Sequence, residues 1–98
     1  MSDYSTIING TKPVLVDFSA EWCGPCKAMK PILKEVKSQI GEQAIVLKVD
    51  IDKNPAIANA YGIQGVPTLI IFHKGEMKWR ESGLRSADEL LSLLRQYI

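Results

Sequence analysis

Val14-Leu15-Val16-Asp17-Phe18-Ser19-Ala20-Glu21-Trp22-Cys23-Gly24-Pro25-Cys26-Lys27 is the stretch on which the reading of this chain turns. Its first five residues are rich in β-branched and aromatic side chains, follow a proline and are too few for a helix, which predicts a buried strand. From Lys27 to Ile40 the apolar residues Met29, Leu33, Val36 and Ile40 recur at spacings of four, three and four, while Lys27, Lys30, Lys34 and Lys37 mark the other face. That is the pattern of an amphipathic helix. Gly41 is placed to cap it, and Pro31 removes one backbone donor a turn in, predicting a kink. Both cysteines of the chain, Cys23 and Cys26, therefore fall where a strand gives way to a helix.

Downstream, Ile45 to Ile51 reads as a second strand, and Asn54-Pro55 offers a capping side chain and a proline suited to the first helical position of a short helix ending near Tyr61. Thr68 to Phe72 and Glu76 to Glu81 flank Lys74-Gly75, as two antiparallel strands around a tight hairpin would. Ser86-Ala87-Asp88-Glu89 matches a capping box and opens a last helix with Leu90, Leu91, Leu94 and Tyr97 as its buried stripe. Upstream, residues 2 to 10 suit a turn or helix. The expected architecture is α/β, one domain over residues 1–98, with a small mixed sheet of about four strands and helices on both faces.

Ninety-eight residues at 46% hydrophobic content support a single small core. Twelve Lys plus Arg balance eleven Asp plus Glu, so no overall field recruits nucleic acid or an anionic membrane. The amino terminus lacks the basic start and apolar run of a secretory signal. Apolar runs such as Leu69 to Phe72 fall far short of the roughly 20 residues that span a bilayer. A soluble, cytoplasmic protein is expected, in a compartment that keeps most thiols reduced.

Three uses of the cysteine pair compete. A structural disulfide closing so small a loop stabilises by only about 2 kcal/mol on the chain-entropy estimate, and the expected compartment disfavours it. A zinc site needs four ligands, whereas the chain offers no other cysteine and one histidine, His73. Thiol-disulfide exchange fits the placement best. Cys23, at or just before the first helical turn, faces unpaired amides and the positive end of the helix dipole, which favours its thiolate. As the attacking species is the thiolate, Cys23 is the expected nucleophile, with Cys26 more buried and slower to ionise. Gly24 lets the backbone turn closely beneath the sulfurs, and Pro25 fixes one dihedral without adding a donor. Trp22 offers a flat apolar surface beside the nucleophile, or else packs in the core. Asp17, a lone carboxyl in an apolar strand, needs an explanation. Burial raises the pKa of such a group and suits it to proton transfer with Cys26, while pairing with Lys48 would merely satisfy it.

The segment from Asp17 to Lys27 resembles the active-site segment of thioredoxins, whose Cys-x-x-Cys chemistry is a standard case. The likeness continues through Asp50 to Pro55, Tyr61-Gly62-Ile63, Val66-Pro67-Thr68-Leu69, Lys74-Gly75-Glu76 and Gly83, covering nearly everything from Val14 onward. It implies a monomeric protein-disulfide reductase with no bound cofactor. Cys23 would be the nucleophile, Cys26 the resolving thiol and Asp17 the proton-transfer group, with Gly24, Pro25 and Lys48 tuning the redox pair. Disulfide-containing client proteins would be the substrates, and a flavin-dependent thioredoxin reductase using NADPH would regenerate the dithiol. The resemblance also makes Pro67 a cis-proline facing the cysteines and assigns the backbone of Val66 to strand-like pairing with the client. Trp22, Gly65 and Gly83 would complete the client surface.

Two departures stand out. Ser19 occupies a place where many thioredoxins carry tryptophan. Only thirteen residues precede Val14, too few for the first strand and first helix usual in the family, so the strand holding Lys48 is expected to be an edge, with Lys48 wetter and less coupled to Asp17. The lysines of the long helix read as its wet face. His73 and Trp79 carry no assigned role. Rival readings are an adaptor with idle cysteines and a disulfide oxidase or isomerase on the same fold.

Overall fold

The computed structural model describes residues 2–98, with side chains from residue 3 onward. Its elements are α1 (Ser2–Ile8), β1 (Val14–Ser19), α2 (Gly24–Ile40), a 3-10 turn (Gly41–Gln43), β2 (Ile45–Asp50), α3 (Pro55–Ala60), β3 (Thr68–His73), β4 (Glu76–Ser82) and α4 (Ala87–Arg95). The strands form one sheet in the order β2-β1-β3-β4, with β1 parallel to β2 and antiparallel to β3, and β3 antiparallel to β4. Among the described residues before β1, Ser2–Ile8 are helical, and β2 is an edge of the sheet.

Strand alternation explains the layering. Leu15, Leu69 and Ile71 point to one face and pack with Met29, Leu33 and Val36 of α2 and with Leu90, Leu91 and Leu94 of α4. Val14, Val16, Phe18, Ile70 and Phe72 point to the other, against Ile8 of α1 and Ile57 of α3. Tyr4, Phe18, Tyr61 and Phe72 meet there as tilted or edge-on rings with centroids 5.4–6.5 Å apart, an arrangement that adds to the burial of their area. With helices on both sides, β1 and β3 are buried along nearly their whole length, which is why they read as continuous apolar runs.

Helix α2 continues through Pro31 to Ile40, and the N–H of Gly41 closes it on the carbonyl of Lys37. The hairpin between β3 and β4 turns at Lys74 and Gly75, both at positive φ (54° and 82°). This is the handedness that matches the twist of the flanking strands. Three local expectations need correction. The Asn54 side chain does not cap α3: its Nδ2 donates instead to the carbonyl of Asp50 at 3.0 Å. The capping box of α4 is half made, with Ser86 Oγ accepting the N–H of Glu89, whose own carboxylate lies 3.9 Å from Arg85. Tyr97 lies beyond α4 and is half-buried, its ring 5.4 Å from that of His73.

Candidate active site

Cys23 is the N-cap of α2, its backbone extended (φ −90°, ψ 115°) and its sulfur accepting the N–H of Cys26 at 3.1 Å. Strand β1 delivers the chain to this point, Ala20 turns it, and Pro25 opens the helix with no donor to spare. The two sulfurs are joined in a disulfide with Cα atoms 5.3 Å apart. Ala20, Cys23 and Cys26 form a small cluster with Ile51 and Val66 packed around it.

The expected difference in burial between the cysteines is not found: Cys23 is 4% and Cys26 5% exposed. Val66 covers Cys23, placing its carbonyl oxygen 3.6 Å from the sulfur. What distinguishes the two sulfurs is hydrogen bonding. Cys23 Sγ takes an amide at the positive end of a seventeen-residue helix, an arrangement that stabilises negative charge there once the disulfide is reduced. Gly24 also differs from expectation, because it is exposed and a Cβ built on it meets nothing within 4 Å. Its lack of a side chain keeps the surface above the disulfide low without relieving any backbone crowding.

The Val66–Pro67 bond is cis. Val66 packs against the cysteine cluster, and Pro67, next to it in the chain, is buried. The Pro67 carbonyl accepts the N–H of Gly83 at 2.9 Å, and Thr68 Oγ1 donates to the Gly65 carbonyl and lies 3.0 Å from Ser82 Oγ. Gly83, at φ +91°, occupies a conformation that side chains strain to adopt. Gly65, Val66 and Gly83 are in this way tied to the segment around Pro67 and Thr68. Trp22 is 70% exposed, so it is not a core residue. Its indole N–H donates to Asp52 Oδ2 at 2.8 Å. Asp52 is held in turn by a turn in which Asp50 Oδ1 accepts the amides of Asp52 and Lys53, and Lys53 reaches Glu21 at 3.3 Å.

Asp17 projects from β1 on the same face as Leu15 and Ser19, toward α2. It is 1% exposed and its Oδ1 has no hydrogen-bond partner among the described residues. Burial pushes its pKa up from 3.8 to about 6, and the positive charge of Lys48 opposes this only in part. Lys48 is the register partner of Asp17 on β2, yet it is exposed and makes no ion pair with it among the described residues. No ion pair with lysine thus satisfies Asp17 among the described residues. A cleft of about 480 Å³ beside Cys26 is lined by Ser19, Lys27, Lys30, Lys48 and Asp50 among others. In place of a bulky aromatic, Ser19 leaves this side open.

The structure brings together Cys23, Cys26 and Val66 at the disulfide, with Gly24 and Pro25 between the cysteines, Pro67 following Val66, and Gly83 bonded to Pro67. Asp52 escaped the sequence reading, although an aspartate two residues after Asp50, before Asn54-Pro55, is the pattern of a self-bonded turn. His73 and Trp79 lie away from the disulfide; Trp79 packs on the α2/α4 side of the core. No set of three or more His, Cys, Asp or Glu side chains is gathered to hold a metal among the described residues, and no helix there is long and apolar enough to cross a membrane.

The family model described as thioredoxin matches residues 1–96. A thioredoxin-like protein of Synechocystis is 44% identical over 98 residues, covering 99% of this chain and 93% of its own. Thioredoxin of Rickettsia felis is 42% identical over 92 residues, covering 94% of this chain and 88% of its own. A solved mutant thioredoxin of Halobacterium salinarum superimposes with a TM-score of 0.89 at 38% identity, over 99% of this chain and 84% of that one.

Proposed function

This chain belongs to the thioredoxin family, and from that premise we propose a residue-by-residue division of labour for its dithiol-disulfide reductase activity. The redox pair is Cys23 and Cys26. In the reduced protein the Cys23 thiolate attacks one sulfur of a client disulfide, forming a mixed disulfide and expelling the other client sulfur as a thiolate. Asp17 takes the proton of Cys26, through water in the adjoining cleft. The Cys26 thiolate then attacks Cys23 Sγ, the mixed disulfide breaks, the client leaves as a dithiol, and the disulfide seen here is the product. Two electrons and two protons, supplied by a thioredoxin reductase, return the pair to the dithiol.

The client lies across the disulfide, its extended backbone pairing with Val66 beside Pro67 and its side chains meeting Trp22, Gly65 and Gly83. Gly24 and Pro25 keep the approach low, and Lys48 moderates the charge on Asp17. We read residues 1–98 as one domain acting as a monomer in the cytoplasm, where reduction rather than oxidation of clients prevails.

One observation carries this reading: the Cys23 sulfur accepts an amide as the N-cap of α2. Turbidity in an insulin-reduction assay with dithiothreitol tests it. Strong acceleration by the wild type and none by Cys23→Ser is expected. Equal activity in the two would leave a protein-binding module with idle cysteines. A reduction potential measured against glutathione separates reductase from oxidase, and a value more oxidising than the glutathione couple would reverse the direction proposed.

A further inference from the structure

The two edges of the sheet are not alike. At β4 the charges are internally answered: Lys78 pairs with Glu76 at 2.7 Å, and Arg80 donates to the carbonyls of Tyr61 and Gly62. A register irregularity at Ile71/Phe72 adds to its protection. Strand β2 has a different character. The amides of Ile45 and Ile51 donate to Pro13 and Ser19 of the β1 side at 3.0 and 2.9 Å. In a parallel ladder inward-facing groups recur at every second residue, so Ile45, Leu47, Val49 and Ile51 serve β1. The N–H and C=O groups of Val46 and Lys48 consequently point away from the sheet.

Grooves flank this open edge on both faces. On the α2 side, a groove of about 440 Å³ combines apolar Pro31, Leu33 and Val46 with Lys30, Lys34 and Lys48. None of these three lysines makes an ion pair among the described residues. Lys37, at the far end, is occupied by the carbonyls of Gly41 and Ala44. On the other face, a groove of about 430 Å³ runs along Leu47 and Val49, with Tyr4, Ile7 and Ile57 as its further apolar lining and Asp3, Lys48 and Asn54 as its polar lining. Lys30 and Lys48 also line the cleft beside Cys26, so the lysine groove leads to the redox pair.

We propose that the β2 edge accepts an extended acidic segment of a partner protein as a fifth strand, docking it beside the disulfide. The alternation of a strand sets the pattern it must carry. Side chains on the α2 side meet unanswered lysines and are Asp or Glu; those on the other side meet Leu47, Tyr4 and Ile57 and are apolar. A second copy of this chain is the wrong occupant, because β2 against β2 sets Lys48 of each copy near a basic groove.

A cysteine-free peptide of alternating Glu and Val, titrated into the isotope-labelled oxidised protein, tests the docking independently of any reductase activity. Amide shifts concentrated at Val46, Lys48, Lys30 and Lys34, slowed hydrogen exchange at the Val46 and Lys48 amides, and weaker binding at high salt are expected. Lys34→Glu should weaken binding about fivefold. Val46→Pro removes an outward donor at a position where edge strands tolerate proline, together with a side chain that packs on the α2 side of the core, and should abolish the slowed exchange at Lys48. Lys34→Glu, on the exposed face of α2, keeps a readable outcome should Val46→Pro unfold. Equal binding of an alternating Lys and Val peptide, or no shifts at β2, overturns the proposal. Dimerisation of the free protein through β2 assigns the edge to a second copy and overturns it equally.

Discussion

Replacing Asp17 with asparagine should make the protein more stable, and the gain should depend on pH in a defined direction. Asp17 is 1% exposed, and burial lifts its pKa from 3.8 to about 6. A carboxyl with a raised pKa binds its proton more tightly folded than unfolded. The wild type is therefore favoured most below the unfolded value and loses that advantage as pH rises through the folded one. At 1.36 kcal/mol per unit, a rise of about 2 units corresponds to roughly 3 kcal/mol lost between about pH 4 and pH 7. Asp17→Asn keeps the shape of the side chain but cannot ionise, so it does not share the loss. Urea unfolding of both oxidised proteins from pH 3 to 8 measures the difference, in which other titrating groups largely cancel. The advantage of Asp17→Asn should grow by about 3 kcal/mol across that range. A difference independent of pH, or one shrinking as pH rises, would refute burial as the dominant influence on Asp17 and make Lys48 its effective partner.

Further outcomes follow from the same geometry. Cys26→Ser should still attack clients but accumulate a mixed disulfide visible on non-reducing gels; rapid client release from that variant would remove Cys26 from the resolving step. In wild type the rate of resolution should rise as Asp17 ionises near pH 6, and Asp17→Asn should lack that rise, read by stopped-flow fluorescence. Asp52→Ala frees the Trp22 indole, so in a Trp79→Phe background the anisotropy of Trp22 should fall and KM for insulin rise about threefold with kcat nearly kept, as loss of one exposed hydrogen bond implies. Leu94→Ala leaves a hole between α4 and the sheet and should cost roughly 3 kcal/mol by urea unfolding.

Much of the architecture was legible because its signals are local. The Met29, Leu33, Val36, Ile40 stripe marks the buried face of α2, and Lys74-Gly75 marks a hairpin whatever surrounds it. Local signals also misled where a side chain had a choice of partners. Asn54 is a good N-cap in isolation, but the carbonyl of Asp50 was within its reach and took its amide. The expectation that Cys26 would be more buried than Cys23 considered only the helix, whereas Val66, more than forty residues away, descends from another loop to cover Cys23. Asp52 could be read as a turn residue but not as the partner of Trp22, since that contact needs two segments folded together.

By itself the sequence determined the chemistry and the register: two sulfurs one helical turn apart at the end of a strand, and a carboxyl set among apolar residues whose alternation leaves it no exposed face. Tertiary packing decided what each group experiences. It set the Val66 carbonyl against Cys23, left Asp17 Oδ1 without a hydrogen-bond partner among the described residues while Lys48 stayed exposed, and opened the β2 edge between two grooves. Charge stabilisation and desolvation depend on atoms within a few ångströms from several elements at once, and no spacing along one chain segment specifies them.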